Sequence, residues 1–137
     1  MKQFICGLCL ILFLSGHVGA ENVSAVKVET LAKSTSSWNG DSLPTYKNGQ
    51  PEITILRITI PPGIQLPLHY HPVINAGVLL HGELTVTTKD KEILHLKAGD
   101  SIIEVVNKLY YGKNEGELPA EIIVFYAGIS GVPITIK

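Results

Sequence analysis

The sequence predicts an all-β domain, either a sandwich or a small barrel, from three observations. Beyond residue 50, apolar residues alternate with polar ones or form short runs rich in Val, Ile and Thr, which is typical of strands. Turn-forming residues separate these runs at short intervals. No run shows a clear helical period. Strands are predicted over residues 53–60, 74–80, 83–88, 92–96, 101–106 and 121–127.

The size and composition of the chain fit one globular domain. The chain has 137 residues, of which 45% are hydrophobic and 17% are charged, so it can bury one core but has no room for a second. Its formal net charge is −1, and its Lys and Arg residues are scattered. Nucleic-acid binding needs a clustered basic surface, so we expect no nucleic-acid partner.

Residues 1–20 have the pattern of a cleaved secretory signal peptide. A lysine follows the first methionine, and residues 4–14 are almost continuously apolar. The segment ends with the small residues Gly19 and Ala20, which suit cleavage by a signal peptidase. A membrane anchor is the alternative, but the apolar run is shorter than the roughly 20 residues that a spanning helix needs. His17 stands where a lipoprotein signal would need a cysteine. We therefore expect residues 21–137 in the periplasm or secreted, with no membrane partner.

Cleavage of this signal peptide would leave a mature chain without cysteine. Cys6 and Cys9 both lie within the signal, so the mature chain could form no disulfide and would have no sulfur nucleophile. It would carry 10 Lys and Arg against 12 Asp and Glu, a formal charge of −2. We expect packing alone to stabilise this domain.

An ordered arm is predicted over residues 34–50. This segment is rich in Ser, Asn, Gly and Pro, which favour turns, and it also contains Trp38 and Tyr46. Aromatic side chains in such a segment usually pack onto a neighbouring surface. We interpret Trp38 as a structural peg, with a contact to a ligand as the alternative.

His69 and His71 are the residues that point to chemistry. Side chains alternate between the two faces of an extended strand, so these two histidines project the same way. They could share one metal ion, since a His-x-His pair on a strand is a natural half-site for a transition metal. Two ligands do not complete such a site. The structural alternative is a pair of surface histidines, or a pair with satisfied hydrogen bonds in the core.

The glycine spacings around this pair resemble the cupin superfamily. The first cupin motif is a glycine, five residues, His-x-His, three or four residues, a glutamate, six residues and a glycine. The second is a glycine, five residues, a proline, one residue, a glycine, two residues, a histidine, three residues and an asparagine. The chain matches the first motif over residues 63–82 and the second over residues 99–114, at Gly63, His69, His71, Gly82, Gly99 and Asn114. The resemblance implies one small cupin-type β-barrel, a double-stranded β-helix or jelly roll, over residues 21–137.

Two positions depart from the cupin pattern. Asn75 stands at the glutamate position and Tyr110 at the histidine position of the second motif. The resemblance therefore implies a candidate metal and ligand site of His69, His71, Asn75 and Tyr110, in which the last two are weak donors. An amide offers only a neutral oxygen, and a phenol with a pKa of about 10 must lose a proton to bind strongly. A divalent transition metal, whether Fe, Mn, Zn or Ni, would be held less tightly than by three histidines and a carboxylate.

Tyr110 also has an interpretation that needs no metal, because an inward phenol can hydrogen-bond a ligand oxygen or orient a histidine. Alternation sends Tyr111 outward, and His81 and His95 are predicted to lie on the exterior. Glu104 could be a general base or a stray ligand, although an edge salt bridge is the favoured role. The sequence shows no Ser-His-Asp arrangement and no phosphate-binding glycine loop, and it assigns no catalytic residue.

Three functions remain open for the mature chain. The first is an exported binding module that holds a small polar or carboxylated molecule, with or without a divalent metal, through His69 and His71. The second is a metal-dependent cupin enzyme of the dioxygenase, isomerase or decarboxylase type, which the resemblance alone suggests. The third is a homodimer, since cupin barrels commonly exchange edge strands and residues 26–33 could form one.

Overall fold

Seven strands and no helix make up the part of the chain that this computed structural model describes, residues 25–137. The strands are β1 (Pro51–Ile60), β2 (Ile74–His81), β3 (Glu83–Thr88), β4 (Ile93–Lys97), β5 (Ser101–Ile103), β6 (Tyr110–Lys113) and β7 (Ala120–Ile129). The all-β prediction is confirmed. The predicted signal peptide and both cysteines lie outside the described residues. Within residues 25–137, no helix is available that could cross a membrane.

Two antiparallel sheets form the jelly roll that the resemblance implies. The four-stranded sheet has the order β1-β7-β2-β5, and the three-stranded sheet has the order β4-β3-β6. β1 and β7 pair over ten residues, from Pro51 opposite Ile129 to Ile60 opposite Ala120. The successive strands β2 and β3 belong to different sheets. The chain therefore passes from one sheet to the other and encloses a common interior.

Alternation along the strands places one face of each sheet in the core. In β7, Ile122, Val124 and Tyr126 are buried, whereas Phe125 between them is exposed. Leu79 of β2 is completely buried, and burial of a leucine side chain stabilises a fold by roughly 2 kcal/mol. Inward side chains from both sheets meet in this one core.

The observed strands differ from the predicted ones at two places that matter for the site. The strand predicted over residues 101–106 ends at Ile103, and the chain then turns through Asn107, which has a positive φ of 57°. β6 is not predicted from the sequence. It has only four residues and contains Gly112, and a short run with an internal glycine carries little strand signal.

Gly82 makes the turn between β2 and β3 possible. Its φ is +72°, and a Cβ at this position would lie 2.5 Å from the carbonyl oxygen of Pro119. A side chain would therefore meet both backbone strain and a direct clash. This geometry explains why a glycine closes the first motif.

The arm over residues 34–50 packs onto the barrel around Trp38 as predicted, whereas Tyr46 is 79% exposed and does not pack. Trp38 contacts the core, and its backbone N–H donates a hydrogen bond of 2.9 Å to the carbonyl oxygen of Ile103. Farther along the arm, Asp41 lies 3.1 Å from the ammonium of Lys108. The interpretation of Trp38 as a structural peg is confirmed.

Candidate functional site

The segment that carries the two histidines is extended, as the sequence predicts, but it forms isolated bridges and not a continuous strand. His69 pairs with Tyr110 through two backbone hydrogen bonds of 3.0 and 2.9 Å, and Tyr70 pairs in the same way with Ile136. These isolated bridges replace a ladder because prolines on both sides lack the N–H group that a ladder requires. The alternation nevertheless holds, and the rings of His69 and His71 both line a central cavity.

Two backbone carbonyl groups orient the histidine rings. Nδ1 of His69 lies 2.7 Å from the carbonyl oxygen of Pro67, and Nδ1 of His71 lies 2.5 Å from that of Ile134. A carbonyl oxygen only accepts hydrogen bonds, so each Nδ1 carries a proton and donates it. In a neutral ring Nε2 is then the nitrogen with a free lone pair. A contact of this kind fixes the tautomer and the orientation of a histidine that binds a ligand through Nε2.

The central cavity is small and has a polar end. Its volume is about 40 Å³, and a buried site needs roughly 10–15 Å³ for one water molecule, so a ligand of only a few non-hydrogen atoms fits. Five of its thirteen lining residues are polar, and the others are apolar or glycine. The polar lining residues are His69, His71, Glu104, Tyr110 and Tyr126.

Glu104 follows the edge strand β5, but its side chain is buried at the centre of this polar group. It is 7% exposed, and its N–H donates a hydrogen bond of 3.1 Å to the carbonyl oxygen of Asn75 on β2. Its side chain therefore continues the inward alternation of β5 beyond the buried Ile102. Oε2 accepts a short hydrogen bond from the hydroxyl of Tyr110 and lies 3.3 Å from Nε2 of His71. The edge salt bridge favoured from the sequence is wrong, because Glu104 is a buried member of the site.

The two inward tyrosines keep their protons. Burial and the negative charge of Glu104 raise the pKa of Tyr110 well above its ordinary value. The same two causes raise the pKa of Tyr126, whose ring packs edge-on against that of His71 with centroids 5.1 Å apart. Tyr110 is therefore a hydrogen-bond donor and a poor source of a phenolate ligand. Tyr111 is only half-buried, in agreement with the predicted alternation.

His69 is the histidine at the more open end of the cavity. It is half-buried, and its ring centroid lies 5.1 Å from that of His71 and 4.7 Å from that of Tyr110. Burial lowers the pKa of His69, and its hydrogen bond to Pro67 only partly opposes this effect. At neutral pH its ring is therefore uncharged and its Nε2 is a hydrogen-bond acceptor.

Asn75 points inward but lies beside the cavity and does not line it. On β2, Asn75 lies opposite Tyr126 of β7. On the other side of β2, its carbonyl oxygen accepts a hydrogen bond from the N–H of Glu104. Side chains at opposite positions share a face, so the three form one inward row across the sheet. Asn75 is 1% exposed, and its Oδ1 accepts no hydrogen bond. A buried acceptor without a partner is uncommon in folded proteins.

The polar group fits a hydrogen-bond network better than a complete set of metal ligands. Among the side chains of residues 25–137, no three His, Cys, Asp or Glu residues converge on one point. Oε2 of Glu104 already contacts Tyr110 and His71, and the raised pKa of Tyr110 opposes its ionisation. His69 and His71 offer two nitrogen ligands, and the carboxyl group of Glu104, which could be a third ligand, is engaged through Oε2 by Tyr110 and His71. The residues as they are arranged do not fit a permanently held ion.

Sequence comparison assigns the family to which this geometry belongs. The Cupin_2 family, described as a cupin domain, matches residues 56–126. The chain is a cupin. The matched region runs from β1 to β7 and includes every polar residue that lines the cavity. No curated protein is detectably similar to this cupin in sequence.

Solved structures with low sequence identity share the fold of this chain. An uncharacterized protein with a double-stranded β-helix domain from Klebsiella pneumoniae has a TM-score of 0.54 and 21% identity, over 68% of this chain and 90% of that one. The DMSP lyase DddQ from Ruegeria pomeroyi has a TM-score of 0.54 and 18% identity, over 61% of this chain and 42% of that one. The oxalate decarboxylase of Lactobacillus farciminis, in a formate complex, has a TM-score of 0.54 and 20% identity, over 62% of this chain and 26% of that one. This cupin therefore spans less than half the length of either enzyme.

Proposed function

We propose that this cupin is an exported protein that binds a small polar molecule in its central cavity. The observation that carries the proposal is the pair of fixed Nδ1–H tautomers, because they present Nε2 of His69 and of His71 to the same small space. Glu104 and Tyr110 add a buried carboxylate and a phenol beside them. A small number of polar groups that converge in an otherwise apolar pocket is typical of a small-molecule binding site.

Binding to small ligands tests this proposal directly. The mature protein is treated with a chelator and then titrated calorimetrically with formate, methylammonium and Mn²⁺ in turn. We expect saturable binding of at least one probe, with an affinity that His69→Ala reduces at least tenfold. His81→Ala is the matched control, since His81 is exposed at the end of β2 and should not change the affinity. No binding of any probe, or equal effects of the two substitutions, would contradict the proposal.

A metal-dependent enzyme is the second candidate, and one observation favours it. Nε2 of His69 is available as a nitrogen ligand, and Nε2 of His71 becomes available when its 3.3 Å contact with Oε2 of Glu104 is released. The cupins of known structure include a DMSP lyase and an oxalate decarboxylase. When bound, such an ion would supply Lewis-acid or redox chemistry to a substrate at its open positions.

Metal content separates the two candidates. Elemental analysis of untagged protein should give less than one equivalent of any transition metal if the site serves binding alone. Tyr110→His should strengthen Mn²⁺ or Zn²⁺ binding, because it supplies a third imidazole next to His69 and His71. Stoichiometric metal in every preparation of the wild type would favour the enzyme.

Export is proposed from the sequence of residues 1–20. A secreted or periplasmic form should begin at or near Glu21, which the intact mass of the protein recovered from the producing cells measures. A mass that includes Met1 and residues 2–20 in all fractions would contradict export.

A homodimer is also proposed, and two exposed apolar features support it. Val26 and Val28 are 90% and 86% exposed in a segment that forms no strand within its own chain. Ile55 of β1 and Phe125 of β7 are opposite each other and are exposed on the outer face of the four-stranded sheet. Light scattering should show twice the monomer mass, and only monomer at high concentration would refute the dimer.

A further inference from the structure

We propose that a groove on the outer face of the four-stranded sheet is a second binding site, for an aromatic carboxylate of about the size of naphthoate. The groove lies between the arm over residues 34–50 and strands β1, β7 and β2, and its volume is about 310 Å³. Small-molecule sites typically have volumes of roughly 300–1,000 Å³. The groove shares no lining residue with the central cavity, so this proposal is independent of the function proposed for that cavity.

The floor of the groove is a depression in an apolar row of the sheet. Ala127 of β7 lies opposite Ile53 of β1 on one side and opposite Ile74 of β2 on the other. Side chains at opposite positions share a face, and all three line the groove. The short alanine side chain therefore lies between two long ones, and a flat ring system fits above it. Ile53 is 62% exposed, so such a ring would remove apolar surface from water.

The arm forms one wall of the groove and is attached to the sheet at its end. The N–H of Ser130 donates a hydrogen bond of 3.0 Å to the carbonyl oxygen of Gln50. At Gly49 the arm approaches the sheet so closely that a Cβ would lie 2.5 Å from Cγ2 of Ile129. A residue without a side chain is therefore required there. The wall is in place without a ligand, which lowers the cost of ordering on binding.

Tyr46 presents an aromatic ring that the fold does not use. It lines the groove but is 79% exposed, whereas Trp38 of the same arm packs against the core. Two aromatic rings attract each other in offset-stacked or edge-to-face arrangements. A ligand ring on the floor of the groove would supply the second ring that Tyr46 lacks.

Lys47 favours a negatively charged ligand. It is the one charged residue among the lining residues that the structure describes. Its ammonium group forms no salt bridge with any residue in the range 25–137. A ligand carboxylate would accept a charge-assisted hydrogen bond from this ammonium group, whereas a ligand ammonium group would meet a like charge. Because Lys47 is exposed, we expect the gain in affinity to be modest and sensitive to salt.

The experiment titrates the wild-type mature protein with naphthoate, with its uncharged amide and with naphthylmethylammonium, and follows the methyl NMR signals. We expect naphthoate to bind at a single site and to shift the signals of Ile53, Ile74 and Ala127. At low ionic strength it should bind about threefold more tightly than the amide, the size of effect that an exposed ion pair produces. Naphthylmethylammonium should bind more weakly than the amide, and high salt should reduce both differences.

Three substitutions test the parts of the groove separately. Ala127→Leu fills the depression on the outer face and should abolish binding of all three compounds. Tyr46→Ala should weaken naphthoate binding about fivefold through the loss of an aromatic pair. Lys47→Gln should remove the preference for naphthoate over the amide without weakening the amide. Lys89→Gln is the matched control, since Lys89 is an exposed lysine in the turn after β3, and it should keep the preference.

The outcomes separate this site from the central cavity and from a subunit contact. Naphthoate binding that leaves the signals of Ile53, Ile74 and Ala127 unchanged would overturn the groove as a site. Equal affinities of the three compounds at low ionic strength would overturn the carboxylate. A dimer by light scattering to which none of the compounds binds would make the groove a contact between copies and would also overturn the proposal. His69→Ala should leave naphthoate binding unchanged, so the groove and the central cavity are tested independently.

Discussion

Tyr110→Phe removes a single hydroxyl from the centre of the site and should destabilise the fold measurably. That hydroxyl donates to Glu104, and both residues are less than 10% exposed, so bulk water cannot easily replace the lost donor. A hydrogen bond to a charged group contributes roughly 1.5–3 kcal/mol. We therefore expect the free energy of unfolding to fall by about 2 kcal/mol. With a urea m-value of about 1.5 kcal/mol/M, the midpoint of unfolding would decrease by about 1.3 M.

Urea denaturation followed by circular dichroism and by the fluorescence of the single tryptophan, Trp38, measures this loss. Tyr111→Phe is the matched control, because Tyr111 is half-exposed and its hydroxyl makes no hydrogen bond to any residue in the described range. Its effect should be within about 0.5 kcal/mol. Equal midpoints for the two variants would refute the conclusion that Tyr110 supports a buried carboxylate.

Three further predictions concern titration and backbone geometry. Burial lowers the pKa of His69 below its ordinary 6.5, so below this pH the unfolded chain binds a proton more readily than the folded chain, and the free energy of unfolding should fall as the pH drops. The urea midpoint should fall less steeply with decreasing pH in His69→Gln than in the wild type. The same pH dependence in both proteins would contradict this. Of the five tyrosines, Tyr110 and Tyr126 should not ionise in an ultraviolet absorbance titration until the protein unfolds above pH 10, and five equivalent tyrosines would refute their burial. Gly82→Ala should lower the free energy of unfolding, measured by urea denaturation, by at least about 2 kcal/mol more than Gly40→Ala. Both glycines have a positive φ, but only at Gly82 would an added Cβ clash with the backbone. Equal losses of stability in the two variants would argue against the clash.

Much of the fold follows from periodicity in the sequence. The alternation of apolar residues locates β1, β2, β3, β4 and β7 to within a few residues, because each has one face in the core and one toward solvent. The short strand β6 cannot be located in this way, since four residues with an internal glycine carry too little pattern. Its position depends on the ladder with β3 and on the bridge between His69 and Tyr110, which are contacts distant in sequence.

The site is predictable in part for the same reason. His69, His71 and Tyr110 can be placed inside from alternation and from the cupin spacing, and the structure brings all three to the cavity. Glu104 and Tyr126 are not assigned to it from the sequence. The inward alternation of β5 beyond Ile102 and the buried position of Tyr126 in β7 are the signals that could have found them. What the sequence cannot supply is the pairing of β2 with β5, which sets Glu104 beside Asn75.

A buried carboxyl group accompanies both departures from the cupin pattern, since Glu104 contacts the backbone of Asn75 and the hydroxyl of Tyr110. With Asn75 at the glutamate position, the one carboxyl group of the inward row is that of Glu104. A glutamate at position 75 would place two carboxylates side by side in a buried row, which is unfavourable unless one of them is protonated. Tyr110 in turn supplies the proton donor that Glu104 needs, where a histidine would supply a metal ligand.

Long-range proton–nitrogen NMR correlation of the histidine side chains measures whether the two imidazoles present Nε2 to the cavity. We expect the Nδ1 atoms of His69 and His71 both to carry a proton at pH 8, and a bound probe to shift their Nε2 signals while those of His81 and His95 stay in place. An unprotonated Nδ1 on either ring, or probe binding that leaves both Nε2 signals unchanged, would contradict the proposed binding site.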